Sequence, residues 1–136
     1  MHRKHIALIA HNSKKDHLLI WCRQHQRVLS HHLLFATAST GQMLEINLGL
    51  KIHKFKSGPL GGDQQIGAKI VEGEIDCLIF FWDPLAAHPH DVDVKALMRI
   101  AVVYNLPIAI NAATADFMVA STLMRLDLHM IQKSTA

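Results

Sequence analysis

Four short apolar runs, at residues 6–10, 33–37, 77–82 and 107–110, and an alternating, less deeply buried strand pattern at 52–56 recur along this 136-residue chain, with helical spacing between them. That alternation limits the fold more than any other feature. Strands of near-continuous apolar residues are buried on both faces, and joining them through helices gives a parallel sheet with a helical layer on each side. The sequence therefore predicts one α/β domain over residues 1–136. It has three layers, a central, mostly parallel five-stranded sheet, and right-handed crossovers. Helices are expected over 14–30, 40–48 (closed by Gly49), 64–72 (stopped at Gly73), 92–104 and 114–120. The run 77–82 is the most apolar and belongs near the sheet centre. After about residue 121 the pattern is irregular, and Leu128, Met130 and Ile131 form a last short strand or a frayed end.

Half the residues are apolar and 18% are charged, as in a folded globular protein. A net charge of +3 with 6% aromatic residues, and no interleaving of Arg with aromatics, argues against a nucleic-acid platform. Residues 6–10 are too short for a signal-peptide core, and the apolar run 78–82 is too short to span a membrane, so a cytoplasmic protein is expected. Cys22 and Cys77 are far apart, without partners at metal or redox spacing, and are read as buried reduced thiols.

In open parallel sheets ligands bind at the carboxyl ends of the strands. The five strand-to-helix junctions lie at 11–15, 37–41, 57–63, 83–93 and 111–114, and they hold nearly every polar residue with chemical potential. The opposite edge reads more plainly, as in Glu72-Gly73-Glu74. Thr37, Ser39 and Thr40 bring three hydroxyls to a helix start, where they either cap the helix or join its N–H groups around an anion. Lys15, with Lys14 beside it, could neutralise that anion, and His11 ends the first strand at the same edge. Ser57-Gly58-Pro59-Leu60-Gly61-Gly62 is backbone shaped for close approach, and Asp63 after it is either a helix cap or a general base. His88, His90, Asp91 and Asp93 lie within six residues but lack the i, i+4 spacing of paired zinc ligands. They read better as a hydrogen-bond donor to a carbonyl or enediolate with an acid to orient it, so no metal is expected. Together these junctions suggest an enzyme acting on a small phosphorylated substrate.

The chain resembles the methylglyoxal synthase family from about residue 4 to 120. The resemblance is carried by segments 4–11, Ala36-Thr37-Ala38-Ser39-Thr40-Gly41, 57–67, 80–97 and Asn111-Ala112-Ala113-Thr114-Ala115. It implies a Rossmann-like fold, usually assembled as a homohexamer, and a cofactor-free lyase converting dihydroxyacetone phosphate to methylglyoxal and inorganic phosphate. By motif, Asp63 would be the catalytic base. His90 would polarise the substrate oxygens, and His11 would bind substrate. Lys15, Thr37, Ala38, Ser39 and Thr40, with Ser57 and Gly58, would hold the phosphate. Asp83 and Asp93 correspond to further site acids.

Three positions depart from the family pattern, of which Ser39 keeps the hydroxyl of the residue it replaces. Asn12 stands where an acid is usual, and Ala38 replaces the second residue of Thr-Gly-Thr-Thr-Gly, which would strain the chain if that position needed a positive φ. The contrasting reading is a non-catalytic ligand-binding module, since the same fold serves as the regulatory domain of carbamoyl phosphate synthetase.

Overall fold

The computed structural model describes residues 3–86 and 94–126. Five strands, β1 (His5–Ala10), β2 (Leu33–Ala36), β3 (Ile52–Lys54), β4 (Cys77–Phe81) and β5 (Ile108–Ala109), form one sheet in the order β3-β2-β1-β4-β5. Every pairing is parallel, with Leu8 beside Ala36 on one flank and beside Ile79 on the other. All five residues of β4 are buried, as expected of an interior strand made of Cys, Leu, Ile and Phe.

Successive side chains of a strand point to opposite faces, and the core splits accordingly. Ile6, Leu8, Leu34, Ala36, Ile79 and Phe81 face helices α1 (Lys15–Gln24), α2 (Gln26–Leu29), α3 (Ala38–Leu48) and α6 (Ala112–Ala120). On the other side Ala7, Ile9, Leu78 and Phe80 face α4 (Gly62–Val71) and α5 (Val94–Val103) through Ile66, Ile70 and Leu97. Burying each large apolar side chain stabilises by roughly 1.5–3 kcal/mol relative to exposure.

Several boundaries differ from the sequence expectation. The single helix expected over 14–30 begins as a 3-10 turn, Asn12–Lys14, and divides at His25, which leaves helical geometry (φ −112°, ψ 20°). The His25 ring lies 4.6 Å from that of Trp21, and both rings hydrogen-bond to Asp116 of α6. Helix α3 starts at Ala38, two residues before the expected Thr40, and α4 at Gly62, before the expected Gln64. Strand β3 ends at Lys54 and a 3-10 turn spans Thr122–Arg125. The suggested last strand, at Leu128, Met130 and Ile131, lies outside the described residues, as do the first residues of the helix expected from 92.

Candidate active site

The strand order reverses direction beside β1, and the crevice this opens at the carboxyl ends is the expected ligand position. Four junctions meet there.

The first two are joined by a lysine. Lys15, the first residue of α1, donates from Nζ to Ser39 Oγ at 2.6 Å, in the opening turn of α3. Thr37 is the N-cap of α3 in extended conformation (φ −68°, ψ 161°), and its side chain makes no capping bond. The simplest account of these hydroxyls, that they cap the helix, is therefore not what Thr37 does. Thr40, two residues into the helix, is 1% exposed, and among the described residues its Oγ1 has no hydrogen-bond partner. A buried hydroxyl without a partner costs about 1–3 kcal/mol, and one at a helix N-terminus can donate to an anion together with the first N–H groups of the helix. Ala38 is helical, and Asn105 is the one described residue other than glycine with a positive φ, so the expected strain at Ala38 is absent.

The third junction is laid against the second by the sheet. The Phe55 N–H donates to Ala36 O at 2.8 Å, which brings Lys56 and Ser57 alongside Thr37. Ser57 opens a 3-10 turn, Gly58–Leu60, and its carbonyl accepts from the N–H groups of Leu60 (3.0 Å) and Gly62 (2.9 Å). Both glycines of the pair are required. Gly61 sits at φ +98°, and a Cβ on Gly62 would run into the Lys56 carbonyl. The loop is thereby folded back on itself and delivers Asp63 to the first turn of α4, partly buried. Gly61, not Asp63, is the N-cap, and among the described residues the Asp63 carboxylate has no hydrogen-bond or ion-pair partner. Although α4 packs on the opposite face of the sheet from α3, both helices present their N-termini at the same edge.

The fourth junction follows β4. His11, 5% exposed, accepts at Nδ1 from the Asp83 N–H (3.1 Å), so in the neutral ring Nε2 carries the proton and donates. The Asp83 carboxylate accepts from Ser13 Oγ at 2.5 Å and from the Leu85 N–H at 3.0 Å. These two bonds, the Ser13 hydroxyl first, hold its pKa below the usual 3.8 against partial desolvation, and Lys14 assists. Asp83 therefore clasps the β1 and β4 junctions together and fixes the His11 tautomer. Ser13 was not among the residues expected to matter; its position inside the 11–15 junction was the available signal.

His90 and Asp93 lie outside the described residues, as do His88 and Asp91. Among the described residues no group of three or more His, Cys, Asp or Glu side chains could hold a metal ion.

The family model described as MGS-like domain matches residues 17–110. A methylglyoxal synthase of Coxiella burnetii (strain RSA 493 / Nine Mile phase I) is 59% identical over 93% of this chain and 88% of its own length. One from Cellvibrio japonicus (strain Ueda107) is 61% identical over 87% and 77%. The crystal structure of methylglyoxal synthase from Elizabethkingia anophelis NUHP1 superposes with a TM-score of 0.88 at 52% identity, covering 90% of this chain and 80% of that one. The chain belongs to the methylglyoxal synthase family. Membership in that family agrees with the fold and with the concentration of polar residues at the carboxyl edge. The matched span 17–110 contains α3, the 57–63 loop and Asp83, whereas His11 and Lys15 precede it.

Proposed function

We propose that the protein converts dihydroxyacetone phosphate to methylglyoxal and inorganic phosphate, a carbon–oxygen lyase reaction needing no cofactor. The observation that carries this reading is the pairing of the Lys15–Ser39 bond with the unpartnered, buried Thr40 hydroxyl at the start of α3. A phosphate there completes both. Its oxygens accept from Lys15 Nζ, from the Ser39 and Thr40 hydroxyls and from the first N–H groups of α3. Thr37, Ala38, Ser57 and Gly58 wall the same anion from the two neighbouring turns.

The chemistry then falls to the other two junctions. Asp63 takes the proton from the carbon beside the ketone. The enediolate that results carries negative charge on its oxygens, which needs fixed donors. His11 supplies one through Nε2–H, and His90 is assigned a second. The electron pair expels phosphate from the neighbouring carbon, so the C–H bond and the C–O bond to phosphate break in turn. The enol released tautomerises to methylglyoxal. Elimination requires the C–O bond to stand roughly perpendicular to the enediolate plane, so that the reacting orbitals overlap. Asp83 positions His11, and Asp93 is assigned as a further acid of the site. Inorganic phosphate, as product, competes for the α3 turn.

The protein is further proposed to act in the cytoplasm as a homohexamer. Exposed Val102, Val103 and Phe117 (76%, 69% and 81%) support association, and light scattering giving six times the chain mass would test it.

The test of the reaction is incubation with dihydroxyacetone phosphate while methylglyoxal and phosphate are both followed. Equimolar products are expected from the parent. Asp63→Asn should lower kcat by about 10²–10⁴, the usual worth of a general base. Equal rates would remove Asp63 from the mechanism. Phosphate binding without product would favour the ligand-binding module instead.

A further inference from the structure

The opposite edge of the sheet holds a second feature that the lyase reading does not use. A cavity of about 620 Å³ lies at the amino ends of β2 and β3. Arg3, His32, Lys51 and His53 bring cationic or titratable groups to it, Leu33 and Phe35 are among its apolar walls, and among the described residues no Asp or Glu lines it.

Three observations set it apart from an ordinary solvated patch. Its charge is not neutralised: Lys54 and Lys69 pair with glutamates, whereas among the described residues neither Arg3 nor Lys51 has a carboxylate partner. Part of it is rigid: His32 is 5% exposed and accepts at Nδ1 from the Lys4 N–H at 2.9 Å, and Arg3 Nε donates to His31 O at 3.0 Å. It also has an aromatic and apolar wall, where the Phe35 and His53 rings lie 5.2 Å apart at 56° to one another and Leu33 is 38% exposed.

We propose that this cavity is a binding site for an anion that carries a flat apolar ring, separate from the catalytic edge. The volume suits a small organic molecule, and a cleft lined by one sign of charge concentrates ligands of the other. The ring packs on Phe35 and His53 while the anionic group meets Lys51 and Arg3. Along β2 the cavity's Leu33 stands roughly 13 Å from Thr37, and Phe35 roughly 7 Å, at ~3.3 Å per residue.

The test is a fluorescence titration of the full chain with 1-naphthyl phosphate at low ionic strength, beside 1-naphthol and inorganic phosphate. The parent should bind one naphthyl phosphate at this cavity. Lys51→Glu should weaken it by about tenfold or more, the scale of one charge-assisted bond lost. His53→Ala should weaken it further. Dihydroxyacetone phosphate turnover by Lys51→Glu should stay at the parent level, and Ser39→Ala should leave naphthyl phosphate binding unchanged. The proposal is overturned by no binding to the parent, by equal binding to Lys51→Glu, or by loss of binding in Ser39→Ala, which would place the probe on the catalytic turn. Naphthol binding as tightly as its phosphate would remove the anionic part, and inorganic phosphate doing so would remove the ring. Each of these outcomes is independent of whether the protein proves to be a lyase.

Discussion

At the carboxyl edge of the sheet two side chain-to-side chain bonds tie separate junctions together, while at the amino edge Lys4, Asp76 and Arg3 bond to main chain. Lys15 reaches Ser39, and Ser13 reaches Asp83, each bond crossing between junctions far apart in sequence. At the other edge the Lys4 ammonium donates to the Leu126 carbonyl, the Asp76 carboxylate accepts from the His5 N–H at 2.7 Å, and Arg3 donates to the His31 carbonyl. The amino-edge groups satisfy backbone that would otherwise be left unpaired as strands begin. The carboxyl-edge groups hold one another in place and leave Thr40 Oγ1 unpaired.

The sharpest way to separate the edges is to remove a charge from each. Lys15→Met should lower kcat/KM for dihydroxyacetone phosphate by about 10²-fold, as loss of one charge-stabilising donor does, with little change in thermal midpoint. Asp76→Ala should do the reverse. Leaving the His5 N–H without its acceptor should cost about 1–2 kcal/mol in a denaturant titration, with turnover per folded molecule unchanged. A Lys15 variant that unfolds easily, or an Asp76 variant that loses turnover, would erase the distinction.

A smaller effect comes from pH. Asp83 has a folded pKa below its ordinary 3.8, so the stability it adds is present above 3.8 and is lost as pH falls through the lowered value. Asp83→Asn should therefore be slightly less stable than the parent at neutral pH, and the gap should close in acid. A gap that widened on acidification would contradict the Ser13–Asp83 clasp.

The sheet was legible because four of its strands are written as apolar runs, with β4 the clearest, and β3 as an alternating one. The hydroxyl-bearing turn at the start of α3 stands out for a local reason: Thr37, Ser39 and Thr40 sit together in the chain. Helix starts were less so. Ala38 and Gly62 carry no capping side chain, and the true N-caps are Thr37, which makes no side-chain bond, and Gly61, which works through its backbone angle. The cationic cavity escaped sequence reading altogether. Arg3, His32, Lys51 and His53 stand singly in the chain, and only the parallel register of β2 and β3 brings them to one place. The Lys15–Ser39 bond is of the same kind, a contact between neighbouring junctions that no local pattern encodes.

The account rests on Thr40 Oγ1 being kept for a ligand, and Thr40→Val tests that most directly, because valine keeps the shape and removes only the hydroxyl. Inorganic phosphate binding, read by calorimetry, should weaken by about tenfold, while the ligand-free thermal midpoint holds or rises, since a buried group without a partner has been deleted. Phosphate affinity equal to the parent's, or a ligand-free protein clearly destabilised, would mean that the hydroxyl serves the fold and that the anion site lies elsewhere.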